Sequence, residues 1–125
     1  MKEIVLTLVI CLVLTIVLEE TAALAVGVRK GFDLTVILFT NTLTNPVVVF
    51  TGMMLATFTS VPRALYITVL ELLVFVVEAL IYKKILYCKK PSPFILSLIL
   101  NSVSFFIGTT LASLILKILF RKGSV

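Results

Sequence analysis

Four glutamates, Glu19, Glu20, Glu71 and Glu78, interrupt stretches of this chain that are otherwise aliphatic, and no lysine or arginine shares their depth in those stretches. An acid in such a setting can bind a cation, hold and release a proton, or dock against a polar group of another subunit. It is expensive to place there, at about +2.5 to 3.5 kcal/mol for an Asp at the centre of a membrane helix. The acids are therefore expected to face a bundle interior, a water-filled cavity or a partner subunit. The neutral acid is far cheaper to bury than the carboxylate, so at least one is expected to carry a proton near pH 7. Glu19 and Glu20 are adjacent and point about 100° apart on a helix, so Glu20 can serve an interface while Glu19 joins an interior layer.

Amides and hydroxyls occupy the same kind of setting. The stretch Thr40-Asn41-Thr42-Leu43-Thr44-Asn45-Pro46 places two amides, three hydroxyls and a proline inside an apolar run. Pro46 cannot donate to the Thr42 carbonyl, and its ring pushes that carbonyl aside, so a helix break, seen as a kink or a widened turn, is expected at Pro46. The freed carbonyl needs a partner, from the neighbouring Thr and Asn side chains, a water or a bound cation. Later in the chain, Asn101 and Ser104 repeat the chemistry at i,i+3, while Asn41 and Asn45 share a face at i,i+4.

These positions are related by an offset of 60. Arg29-Lys30 followed by Asn41-Thr42-Leu43-Thr44 matches Lys89-Lys90 followed by Asn101-Ser102-Val103-Ser104, with the same spacer in both. Glu19 and Glu78 precede the two basic pairs at nearly equal distances. The pattern reads as two copies of a helical hairpin. Two helices per copy is an even number, so the copies would insert in the same sense, related by an axis along the membrane normal. Glu19, Asn41, Glu78 and Asn101 would then share a layer roughly 4 to 8 Å from mid-helix at 1.5 Å per residue.

The elements that must position these groups follow from composition. Hydrophobic residues make up 61% of 125 positions, mean hydropathy is +1.26, and 14% of residues are charged. A soluble domain of this size has too little interior for that much apolar surface. Four runs, about 4–28, 34–58, 62–82 and 93–116, are each long enough to cross a hydrocarbon core as a helix, which takes about 20 residues. The expected fold is an all-α membrane protein with four transmembrane helices in a single domain over 1–125. Asp33 is a candidate N-cap for the second helix, and Ser60 with Pro62 and Ser92 with Pro93 mark the starts of the third and fourth. Lys2, the apolar run to Leu18 and Ala23-Leu24-Ala25 imitate a signal peptide. Glu19 and Glu20, however, stand where a cleavage region prefers small neutral residues, so the first span is expected to be retained.

The net charge of +5 does not indicate nucleic acid, because the basic residues cluster at helix ends, where they anchor and orient spans. Arg29, Lys30, Lys83, Lys84, Lys89 and Lys90 lie between the first and second or third and fourth spans; Lys2, Arg63, Lys117, Arg121 and Lys122 lie on the other side. Orientation is nearly balanced, with the first set weakly favoured as cytoplasmic. Cys11 and Cys88 differ in depth by roughly 25 Å, too far for a bridge. With no histidine, no CxxC, no nucleophile–base pattern and no phosphate loop, the sequence points to no enzyme, metal or cofactor.

The size and four-helix plan resemble small multidrug transporters and fluoride channels in architecture alone. Asn101, Phe105, Phe106 and Gly108 sit in the fourth helix and at different spacing from a fluoride-channel signature. The chain also lacks the tryptophan of a multidrug-transporter cage. Ser97, Asn101, Ser104, Gly108 and Ala112, and the pair Ala23 and Gly27, form small-residue stripes whose ordinary role is helix packing. The functional expectation is a multi-pass plasma- or inner-membrane protein that carries or conducts a small cation or proton-coupled solute. Its site would be drawn from Glu19, Glu20, Asn41, Asn45, Glu71, Glu78, Asn101 and Ser104. The alternative is an accessory or assembly subunit, and either role implies a homo-oligomer or a partner membrane subunit.

Overall fold

The computed structural model describes residues 1–122. Its helices are α1 (Lys2–Ala25), α2 (Gly31–Phe58), α3 (Arg63–Ile85) and α4 (Pro93–Lys122). Each is long and apolar enough to cross a membrane, at 23 to 30 residues. Large apolar side chains such as Phe39, Leu43 and Phe106 face outward along all their lengths. A surface of that kind suits lipid, not water, and gives the chain the make-up of an integral multi-pass membrane protein.

Each helix packs against its sequence neighbours, α1 also packs against α4, and the backbones of the diagonal pairs stay apart. The result is a four-membered ring of antiparallel helices joined by short connections. α1 ends three residues earlier than its apolar run suggests. Gly27 takes a left-handed conformation (φ 104°), Val28 N–H donates to the Ala23 carbonyl and Gly27 N–H to the Leu24 carbonyl. This pair of bonds is the Schellman closure, which glycine adopts without a Cβ penalty, and its apolar partners Val28 and Ala23 are both buried.

Other boundaries differ from expectation in instructive ways. Asp33 is not the N-cap of α2: the cap is Lys30, and Asp33 is the third helical residue. Its carboxylate is spent elsewhere, accepting from Tyr87 N–H and Cys88 N–H at 2.9 Å each. Lys30 Nζ over the Tyr87 ring (5.2 Å) and Phe32 against the same ring (5.1 Å) complete this clasp between the first and third connections. At α3 the cap is Pro62, with no side-chain bond from Ser60, whereas Ser92 Oγ accepts from Ile95 N–H ahead of α4. α3 and α4 extend beyond 82 and 116, because Lys83, Lys84, Arg121 and Lys122 suit the negative end of a helix.

Pro46 does not break α2, which stays α-helical from Gly31 to Phe58. One missing donor leaves the flanking bonds intact, and the threonine hydroxyls brace the preceding turns. Thr40 donates to the Val36 carbonyl, Thr42 to Leu38 and Thr44 to Thr40, at 2.7 to 3.0 Å. Each hydroxyl reaches back one turn from its own residue, so among the described residues none reaches the Thr42 carbonyl. The widened turn lies instead in α4, where Ser104–Gly108 is π-helical between α-helical Pro93–Val103 and Thr109–Lys122.

The buried residues gather at one end. Ala23, Val28, Ile37, Tyr82, Leu86, Leu96 and Leu100 form a core on the side of the first and third connections. Toward the second connection, past Asn101, only Gly108 and Ala112 are buried among the described residues.

Candidate functional site

The polar layer lies where the tight core ends. Glu19, Asn41 and Glu78 are each 1% exposed, and Asn101 is 8%. α1, α2, α3 and α4 contribute one of these residues each, so the layer closes around the ring.

The bonds within it form a crossed pattern. Thr44 on α2 donates to Glu78 Oε1 on α3 at 2.7 Å, and Ser104 on α4 donates to Glu19 Oε1 on α1 at 2.7 Å. Thr44 and Ser104 are 60 positions apart, as are Asn41 and Asn101. Each acid therefore takes a hydroxyl from the other hairpin. Each also meets the asparagine of its own hairpin, and there the two differ. Asn101 Nδ2 donates to Glu78 Oε2 at 2.7 Å and to the Ser97 carbonyl at 2.9 Å. Asn41 lies close enough to Glu19 for its amide to interact with the carboxyl, but the contact is not a well-formed hydrogen bond: Asn41 Nδ2 and Oδ1, like Glu19 Oε2, have no partner at good distance and angle. Glu78 thus receives two well-formed bonds and Glu19 one. Buried polar atoms are paired in the great majority of cases, so a fully buried amide with neither atom well paired calls for an explanation.

A cavity of about 110 Å³ opens against this layer on the side of the second connection. Asn41, Thr44, Glu78, Asn101 and Ser104 form its inner wall; Thr15, Asn45 and Glu71 extend the polar lining outward. A buried water needs only about 10–15 Å³ of such space, so the cavity has room for several waters or a hydrated ion. Through Cys11, Thr109 and Ala112, which line both, it adjoins a wider recess of about 690 Å³ edged by Arg63, Lys117 and Arg121.

The remaining candidates fall around the layer. Asn45 Nδ2 donates to Thr15 Oγ1 at 2.8 Å across α2 and α1, leaving Asn45 Oδ1 unpaired. Glu71 lies on the cavity wall and also edges two outer grooves beside α3. Glu20 stands apart from the cavity, part-exposed on α1, with one buried oxygen that has no partner. Pro46 lies one residue beyond Asn45 and contributes no bond to the site. Glu19, Glu71 and Glu78 are within mutual electrostatic reach, and the cavity wall carries no lysine or arginine to offset them.

Sequence reasoning missed Thr15, and it treated Ser97 as packing alone. Ser97 also ties α4 to α3 by donating to the Phe75 carbonyl at 2.9 Å. Thr15 carries no signal of its own, since its role depends on the α1–α2 register. Comparison with protein-family models, with curated proteins and with solved structures finds no match to this chain.

Proposed function

We propose that this is a multi-pass membrane protein of two parallel hairpin repeats that carries or conducts a small cation or proton-coupled solute through the Glu/Asn chamber. The observation that carries the reading is Asn41: a fully buried amide that meets Glu19 without a well-formed hydrogen bond at either end, on the wall of a cavity shared with Glu78. A site that leaves such groups poorly paired costs stability and is retained where a ligand completes it. The carboxylates select for positive charge, because no basic group on the wall competes for them. The crossed pairs Thr44–Glu78 and Ser104–Glu19 support a two-fold relation along the bundle axis, which maps α1 on α3 and α2 on α4 without inverting either.

The test is flux through the purified protein in liposomes, under imposed gradients of protons, sodium, potassium and divalent cations. Glu78→Gln keeps the shape and hydrogen bonding of the side chain and removes its exchangeable charge. It is expected to abolish flux while leaving the purified protein folded. Absence of flux for every ion with wild-type protein would reject the reading.

One observation favours an assembly role as the second reading. Glu71 edges the outer grooves beside α3, where lipid gives a carboxyl no partner and a second subunit can. In that case Glu71→Gln changes co-purification of a partner or the oligomeric state, and no ion flux is found.

A further inference from the structure

The wide recess that adjoins the chamber gathers basic residues selectively. Arg63, the first residue of α3, and Lys117 and Arg121, near the end of α4, all line it beside apolar Leu116 and Phe120. Lys2 and Lys122 belong to the same end of the bundle and do not line it. No aspartate or glutamate lines it either. Lys117 and Arg121 stand four apart on one helix, a spacing at which like charges repel. Arg63 brings a third charge to the same space from another helix, and all three side chains are exposed. Basic residues that only anchor a span gain nothing by converging, whereas an anion in the recess offsets all three.

An apolar groove continues from the recess. It runs between α2 and α3, encloses about 320 Å³, and shares Arg63 with the recess. From Arg63 to Glu71 it descends roughly 12 Å along α3, at 1.5 Å per residue. Val49, Gly52, Met53, Ala56, Ile67 and Leu70 wall it, and Glu71 at its deep end also lines the chamber. Gly52 keeps the groove wide: a Cβ placed there would have Leu70 Cδ1, at 3.8 Å, as its nearest neighbour. A positive recess at the helix ends, level with lipid phosphates, thus leads into an apolar slot that points toward mid-bilayer.

We infer that recess and groove together hold one anionic phospholipid, its phosphate among Arg63, Lys117 and Arg121 and an acyl chain between α2 and α3. The two arginines offer forked donors that suit phosphate oxygens, and Lys117 adds a point charge. At about 690 Å³ the recess falls within the range of small-ligand pockets, about 300–1,000 Å³. A free phosphate would leave the groove bare. A zwitterionic lipid would bring its own cation into a recess already rich in them. The site lies outside the Glu/Asn layer and does not depend on what the chamber carries.

The experiment is binding of phosphatidylglycerol, phosphatidylcholine and soluble glycerol phosphate to the purified protein in neutral detergent, read by native mass spectrometry. Phosphatidylglycerol should bind at least about tenfold tighter than the other two, since they lack either the net charge or the chain. Each basic contact to an anionic headgroup is worth about a fivefold change, so Lys117→Gln with Arg121→Gln should weaken binding about thirtyfold. Lys2→Gln with Lys122→Gln removes the same charge from the same end and should change binding less than about threefold. Ala56→Leu, at an exposed position on the groove wall, should weaken phosphatidylglycerol about tenfold, the worth of one or two displaced methylene groups. Equal losses in the two charge-matched pairs would make the attraction diffuse and overturn the site. Glycerol phosphate binding as tightly as the lipid would assign the recess to a free anion, and phosphatidylcholine doing so would remove its charge selectivity. Unchanged binding in Ala56→Leu would take the chain out of the groove. Each of these results overturns the inference.

Discussion

On one side of the polar layer, Ala23, Ile37, Tyr82, Leu96 and Leu100 fill the bundle axis, and the Asp33 clasp ties the two connections together above them. On the other side, Gly108 and Ala112 are the only buried residues among those described, and the axis is occupied by a cavity and a recess. The helices are the same in both halves and comparably apolar. The difference lies in which side chains turn inward. In the closed half large aliphatic residues of α2 and α4, Ala23 of α1 and a tyrosine of α3 converge. In the open half Thr15, Asn45, Glu71 and small residues of α4 face the axis, while Val5, Val9, Val13 and Val17 of α1 face outward. Such an arrangement concentrates the low-dielectric barrier into half the span and sets the acids at its edge.

The contrast can be broken most sharply by chemical access. Cys11 lines both the cavity and the recess. In a Cys88→Ser background it should react with a small membrane-impermeant thiol reagent applied from the side of the second connection. A cysteine placed at Leu100 should stay unreactive from either side. Equal labelling of both positions, read by mass shift, would erase the distinction between the halves.

Stability provides the next contrast. Leu100→Ala removes a fully buried side chain from the tight core and should cost about 3–5 kcal/mol, toward the upper part of the large-to-small range. Leu14→Ala, on the cavity wall, should cost less than about 1 kcal/mol, since its side chain already borders open space. Similar costs in reversible unfolding would mean that the open half collapses. Asp33→Ala strips the clasp of two charge-assisted bonds and should cost about 3 kcal/mol, the low end for two bonds each worth about 1.5–3.

Within the layer the effects are smaller. Ser104→Ala takes away the one well-formed side-chain hydrogen bond to Glu19 among the described residues and should cost about 1 kcal/mol, with Thr44→Val costing less because Glu78 keeps Asn101. The reverse order in thermal unfolding would contradict the asymmetry between the two acids. Gly108→Ala should change stability by less than about 0.5 kcal/mol, since its added Cβ would meet Leu18 Cδ1 at an ordinary 3.5 Å.

How much of this was legible in the sequence depends on whether a property is local or relational. The four helices follow from run length and hydropathy, which act on each segment independently. The common depth of Glu19, Asn41, Glu78 and Asn101 also follows, since depth is a count of residues along a helix. The crossed bonds do not. Thr44 and Ser104 find acids on neighbouring helices only through the ring order and the rotation of each helix about its axis, neither of which periodicity determines in chains apolar on every side. Asp33 shows the same limit: its position at a helix start suggested a cap, and only the fold brings Tyr87 and Cys88 N–H groups to it. The widened turn expected at Pro46 is absent for a different reason. The rule that proline disrupts a helix is correct about one bond and says little about a helix with well-braced turns on either side.

The π-helical turn at Ser104–Gly108 also bears on which length changes the protein can survive. Such a turn holds one residue more than an α-helical turn, and it absorbs the surplus locally, so Asn101 before it and Ala112 after it both face inward. Elsewhere in the four spans, losing a residue would rotate everything beyond it by about 100°, carrying core positions out to lipid. A deletion among Phe105, Phe106 and Ile107 would instead relax the turn to ordinary α-helix and keep both flanks in phase. In a library of single-codon deletions, this short segment should be the place within the spans where folded protein is still recovered.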